Sequence, residues 1–127
     1  MNYGITFSLA RELFKPIHDW DADQFRMALY SMPLDQSITA YTATGELVGG
    51  EYQPGGAFVD LSVTQVDGTV TVEVSDASFI LPAGAAALLI YNQSKAGRSV
   101  FVAPLDDVDE AGSLNISFTV PLITISV

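Results

Sequence analysis

The stretch that most constrains the fold runs from residue 85 to residue 105, AAALLIYNQSKAGRSVFVAPL. Two apolar runs, residues 86–91 and 98–104, flank a polar loop that contains Gly97, and this pattern predicts a β-hairpin. Both arms are too apolar for strands that meet water on one face, so we expect the hairpin to be central and covered. The alternative is a buried helix over residues 83–91, since Ala and Leu favour helices.

The N-terminal segment, about residues 1–16, is predicted to form a short arm and one α-helix. Thr6 or Ser8 can cap a helix that runs to about Lys15, and Pro16 ends it. Apolar side chains recur at helical spacing and predict a packing face. They are Phe7, Ala10, Leu13 and Phe14.

Most of the remaining chain is predicted to be strand and turn. Residues 25–31, FRMALYS, alternate as a strand does, and Asp67-Gly68 is a two-residue hairpin turn between strands at 58–66 and 69–75. Further strands are expected at 114–120 and 122–127. With seven or eight strands, the expected fold is mainly β: a single domain over residues 1–127, an antiparallel β-sandwich or barrel with one N-terminal helix.

A long irregular region is expected over residues 32–56, where paired glycines and Pro54 indicate repeated turns. A loop of this length in a small domain is usually functional or an interface, and we expect it to be mobile until a neighbour orders it. Residues 39–42 could add a short edge strand. Exposed aromatic side chains are plausible interface anchors here and on the helix. The candidates are Tyr41, Tyr52, Phe7 and Phe14.

The charge of the chain excludes several classes of partner. Five basic residues against fifteen acidic ones give a net charge of −10, which argues against nucleic acid and against an anionic membrane surface. No apolar run approaches the ~18 to 20 residues of a membrane span, and no secretory signal is expected. The absence of cysteine excludes disulfides, thiolate metal sites and cysteine nucleophiles.

No group of residues predicts catalysis or a cofactor. The single histidine, His18, is interpreted as a solvated loop residue, because no nucleophile elbow accompanies it. Three acidic residues alternate as in a calcium loop, but Gln24 replaces the required Gly and Tyr30 replaces the bidentate Glu. We therefore predict no metal site. The three acidic residues are Asp19, Asp21 and Asp23.

Three segments together resemble a family of small structural proteins of tailed bacteriophages. They are ITFSLARELFK, FRMALYS followed by YTATGELVGGEYQPGG, and ALLIYNQSKAGRSVFVAPLDD. The resemblance implies a non-enzymatic virion component without a cofactor, a homo-oligomer whose partners are capsid, portal or tail proteins. Head decoration is the favoured role. The alternatives are a neck or tail protein, a module that binds a host glycan or protein, and a hydrolase dependent on His18.

Overall fold

The computed structural model describes residues 4–13, 17–81, 84–105, 112–116, 118 and 121–126. Within these residues the chain forms one α-helix and ten strands, so the predicted mainly β, antiparallel fold with an N-terminal helix is confirmed. No helix in this part of the chain is long and apolar enough to span a membrane. The elements are β1 (Gly4–Ile5), α1 (Phe7–Glu12), β2 (Phe25–Tyr30), β3 (Ala57–Val59), β4 (Leu61–Val66), β5 (Thr69–Val74), β6 (Ala77–Leu81), β7 (Ala87–Asn92), β8 (Arg98–Pro104), β9 (Gly112–Ile116) and β10 (Ile123–Ser126).

The predicted central hairpin is confirmed and forms the middle of the largest sheet. Five strands lie in the order β1-β8-β7-β2-β3, and every residue of β7 is buried. The helix considered for residues 83–91 is wrong, because β7 pairs with β2 on one side and β8 on the other. A 3₁₀ turn, Gln93–Lys95, joins the arms, followed by Ala96 and Gly97 at positive φ.

The two faces of this sheet are covered by different parts of the chain. One face packs against the three-stranded sheet β10-β5-β4 and the two-stranded sheet β6-β9, as in a β-sandwich. The other face is covered by the long loop through Leu34, Ile38 and Tyr41. The alternation predicted for β2 is therefore confirmed: Met27 lies on the first face and Tyr30 on the second.

Two strand predictions need correction. The strand predicted over residues 58–66 is divided at Asp60, where the chain passes from the five-stranded to the three-stranded sheet. The Asp60 amide and carbonyl bond the side chain and backbone of Ser75, which fixes the crossing point. Residues 39–42 form no strand, since only one bridge, between Ala40 and Arg98, connects them to β8.

The helix begins as predicted and buries a different face from the predicted one. The Thr6 hydroxyl accepts from the Leu9 amide and donates to the Ser99 carbonyl, which anchors the first turn to β8. This contact turns Leu9 and Glu12 inward and leaves Phe7 60% exposed. The expected packing face is therefore wrong for Phe7 and also for Leu13, which is exposed. The α-helix ends at Glu12, earlier than predicted, and Phe14, Lys15 and Pro16 lie outside the described residues.

Candidate functional site

A buried carboxylate, Glu46, joins separate parts of the long loop to one another. The hydroxyls of Tyr41 and Tyr52 each donate to one of its oxygens, and the Gly55 amide donates to the oxygen shared with Tyr52 across 2.8 Å. The Tyr91 hydroxyl donates to the Gly55 carbonyl at 2.6 Å. Tyr41 and Tyr52 thus close the loop on itself, and Tyr91 of β7 fastens it to the sheet.

The same loop replaces a strand at the edge of β2. Strand β3 pairs with β2 only as far as Met27, which leaves the Leu29 amide and carbonyl without a strand partner. The Tyr52 hydroxyl accepts from the Leu29 amide at 3.0 Å, and the Leu47 amide donates to the Leu29 carbonyl at 2.9 Å. Because buried backbone groups need partners, these contacts make the loop part of the sheet structure.

Burial keeps the tyrosine hydroxyls protonated. Burial, followed by the hydrogen bond to Glu46 and its negative charge, raises the pKa of Tyr41 to about 12. The pKa values of Tyr52 and Tyr30 are also raised, mainly by burial. A tyrosine hydroxyl with the ordinary pKa of 10.0 already carries its proton at neutral pH, and the raised pKa extends this protonated range into alkaline solution.

The interface candidates differ in how far they are exposed to solvent. Tyr52 is 6% exposed, so the expectation of an exposed anchor is wrong there: its hydroxyl is needed inside to bond Glu46 and Leu29. Tyr41 is half-buried, and Phe7 lies exposed on the helix. An interface role stays a prediction for these two residues, and Phe14 lies outside the described residues.

A groove of about 420 Å³ runs beside the tyrosines, and the cationic side chain of Arg26 lines it. The rings of Tyr41 and Tyr91 form its wall, with centroids 4.8 Å apart. The Arg26 guanidinium lies over the Phe58 ring at 4.7 Å and donates to the Gly56 carbonyl. Aromatic faces next to a cation suit a sugar ring or an acidic side chain.

His18 belongs to a buried polar network, so its interpretation as a solvated loop residue is wrong. Its side chain is 2% exposed, and its Nε2 lies 2.7 Å from a Glu12 oxygen. The Arg98 guanidinium bonds the other Glu12 oxygen at 2.7 Å, and the Asn92 amide lies 2.9 Å from His18 Nδ1. These contacts tie α1 to the hairpin loop.

The three alternating aspartates do not converge on one point. Asp19 accepts from the backbone amides of Asp21 and Ala22, whereas the Asp23 carboxylate bonds Lys95 at 2.7 Å. Partial burial acts to raise the pKa of Asp23, but hydrogen bonds from Asn92, the Asp19 amide and Lys95 outweigh it and lower the pKa to about 2. Among the described residues, no group of three His, Asp or Glu side chains is placed to hold a metal ion.

The hairpin formed by β4 and β5 has one strand, β4, that is largely exposed. Its turn is the predicted Asp67-Gly68, with Asp67 at φ 52° as a hairpin turn of this type requires. Within β4 every residue after Leu61 is exposed. Val63 is 41% exposed and Val66 72%, although neighbouring Val72 on β5 is buried. This hairpin therefore extends beyond the core and offers an uncharged strand to solvent.

Comparisons with family models, with curated proteins and with solved structures find no match to this chain. The arrangement itself shows what sequence reasoning missed. Glu46 lies in a Gly/Thr-rich loop that also contains Asp35 and Glu51, and no local pattern distinguishes it from them. No local pattern marks β4 as an exposed edge either, because its sequence LSVTQV carries neither the charge nor the proline that normally protects such a strand.

Proposed function

We propose that this chain is a structural component of a tailed-phage virion, acting without turnover through protein–protein contacts between many copies. The capsid surface is the favoured location, with the neck or tail as alternatives. The observation that carries the proposal is the exposed β4–β5 hairpin, which gives an uncharged contact strand to a chain of net charge −10. The charge itself keeps copies from associating elsewhere on their surfaces.

The resemblance supports the proposal through the elements that it covers. Its three segments form the helix, β2 with the Glu46 loop, and the central hairpin. They supply β2, β7 and β8 of the five-stranded sheet, and Tyr41 on its second face. On this proposal, the elements in common with phage structural proteins are part of the scaffold, as expected for a subunit that works by shape and contact.

The decisive experiment is quantitative mass spectrometry of purified phage particles, with antibody labelling of the same particles in the electron microscope. A decoration protein is expected in tens to hundreds of copies per particle, labelled over the shell. Labelling confined to the neck or tail would select those alternatives. Absence from gradient-purified particles would refute the virion assignment.

A second candidate, binding of a host glycan or protein, is favoured by the groove beside Tyr41, Tyr91 and Arg26. A glycan array or whole-cell binding assay with purified chain tests it. Replacing Tyr41 by Ala should abolish binding if the groove is used, and Val48→Ala at an exposed loop position is the matched control. Binding that survives Tyr41→Ala would place any receptor site elsewhere.

A further inference from the structure

One edge of the three-stranded sheet, formed by β4, is long and unprotected. β4 is the terminal strand in the order β10-β5-β4 and, at six residues, the longest sheet edge in the part of the chain that the structure describes. Natural edge strands are normally protected by a charge, a proline, a bulge or short length. β4 has none of these devices, and the side chain of its residue Val63 is exposed.

Backbone geometry shows which groups of β4 face outward. The Ser75 amide donates to the Asp60 carbonyl, and residues of β4 and β5 then pair in strict antiparallel register. Since bonded and non-bonded pairs alternate, Ser62, Thr64 and Val66 bond β5. The backbone groups of Leu61, Val63 and Gln65 consequently point away from the sheet. The Val72 carbonyl, opposite Val63, confirms this alternation because it accepts from Leu122 on the β10 side.

We infer that β4 pairs with β4 of a second copy of this chain, antiparallel, about a two-fold axis that passes through Val63. This register places Val63 opposite its own counterpart and Leu61 opposite Gln65 of the second copy. Three bonded pairs then supply about six backbone hydrogen bonds and join two three-stranded sheets into one of six strands. Self-pairing of this kind is isologous, because each copy uses the same surface.

Charge favours a second copy as the occupant of this edge. In a chain of net charge −10, most surfaces repel their own copies, but β4 contains no charged residue. At the ends of the proposed pairing, Asp60 comes close to Asp67 of the second copy, and Asp19 and Asp21 line the groove beside Val63. Self-association should therefore strengthen as salt screens the repulsion between these acidic groups. The inference concerns the free chain, so it deepens the proposed multi-copy function and can fail without affecting the virion assignment.

Sedimentation of purified chain over a concentration and salt series tests the pairing. We expect a monomer–dimer equilibrium that shifts toward dimer with added salt. Val63→Lys places two ammonium groups at the axis and should weaken the dimer at least about tenfold, since like charges directly opposite destabilise a pair. Val48→Lys makes the same change at an exposed loop position and should stay within about twofold of the unchanged chain.

Hydrogen exchange tests the register. The amides of Val63 and Gln65 should exchange rapidly in dilute monomer and become protected as the dimer forms. The amides of Ser62 and Thr64 should be protected in both, since they bond β5. Asp67→Asn, which keeps a favourable Asn-Gly turn, should strengthen the dimer at low salt.

Three results would overturn the inference. One is a chain that stays monomeric over the whole series, and another is a trimer. The third is a dimer that forms while the Val63 amide still exchanges rapidly, which would place the interface elsewhere. Protection of this amide only when capsids are added would assign β4 to another virion protein.

Discussion

Replacing Tyr52 by Phe tests whether the Glu46 cluster holds the loop. The substitution keeps the ring, which packs in the main core near Phe79. It removes one hydroxyl that both donates to Glu46 and accepts from the Leu29 amide. Two buried groups, a carboxylate oxygen and a backbone amide, then lose a partner.

The magnitude follows from the cost of leaving buried polar groups unpaired, about 1–3 kcal/mol each. Glu46 keeps the Tyr41 hydroxyl and the Gly55 amide, so its loss falls at the lower end of that range. We therefore expect Tyr52→Phe to lower the free energy of unfolding by about 2–4 kcal/mol. Tyr41→Phe is the matched control, at about 0.5–1.5 kcal/mol, because Tyr41 is half-buried and its hydroxyl serves one partner.

Urea unfolding followed by fluorescence is the assay, since the chain has a single tryptophan, Trp20, stacked on Phe25 at 5.5 Å. Adding Glu46→Gln to Tyr52→Phe completes a double-mutant cycle, in which we expect a coupling of at least about 1 kcal/mol. A loss below about 0.5 kcal/mol for Tyr52→Phe, or one equal to that of Tyr41→Phe, would refute the role assigned to this cluster.

Three further predictions concern the stability of the folded chain. Leu89→Ala, fully buried in the central strand, should cost about 2–5 kcal/mol in urea unfolding, whereas exposed Val48→Ala should change little. Gly56→Ala should cost at least about 2 kcal/mol or prevent folding, because Gly56 has φ +83° and a Cβ there would lie 1.8 Å from the Met27 carbonyl oxygen. Thermal melts should show stability falling as the pH rises from 10.0 toward about 12, because the folded state holds the Tyr41 proton more tightly than the unfolded chain, whose pKa is near 10.0; a flat profile over this range would contradict this.

The sequence predicted the elements whose signals are local. The β7–β8 hairpin and the alternation of β2 were readable because burial on both faces requires continuous apolar runs, and side chains of a strand alternate between faces. The Asp67-Gly68 turn was equally readable, since few dipeptides accept its backbone geometry.

The errors arose where tertiary contacts override a local pattern. The apolar spacing that includes Phe7 is helical, but the Thr6 contact with Ser99 decides which side of α1 faces the sheet. His18 lies in a polar stretch, yet Glu12 and Asn92 approach it from elements distant in sequence. No local rule contains such contacts, and the exposure of a polar residue therefore cannot be predicted from its neighbours alone.

The mobility expected for residues 32–56 should differ between the part of the loop that is hydrogen-bonded and the part that is exposed. The part near Glu46 bonds the β2 edge and three tyrosines, so its opening requires the loss of buried hydrogen bonds. Val48, Gly49 and Gly50 are exposed, and a Cβ atom added at Gly49 would have no other atom within 4 Å. If a partner orders this loop, hydrogen exchange should change at the tip around residues 48–51 rather than at Glu46.

The five-stranded sheet contains most of the contacts that stabilise the fold, whereas the three-stranded sheet presents the proposed contact strand, β4. The segments that carry the proposed resemblance form β2, β7 and β8 of the five-stranded sheet, where the Glu46 loop and the helix satisfy backbone groups that would otherwise stay open. Strands β3 to β6 lie outside those segments, and among them β4 leaves its outer backbone groups without a partner in the described chain. A substitution at Val63 therefore changes association without removing a core contact of the larger sheet, whereas one at Tyr52 changes folding first. Assembly and stability can for this reason be altered separately in this chain, and the Val63 and Tyr52 variants measure one each.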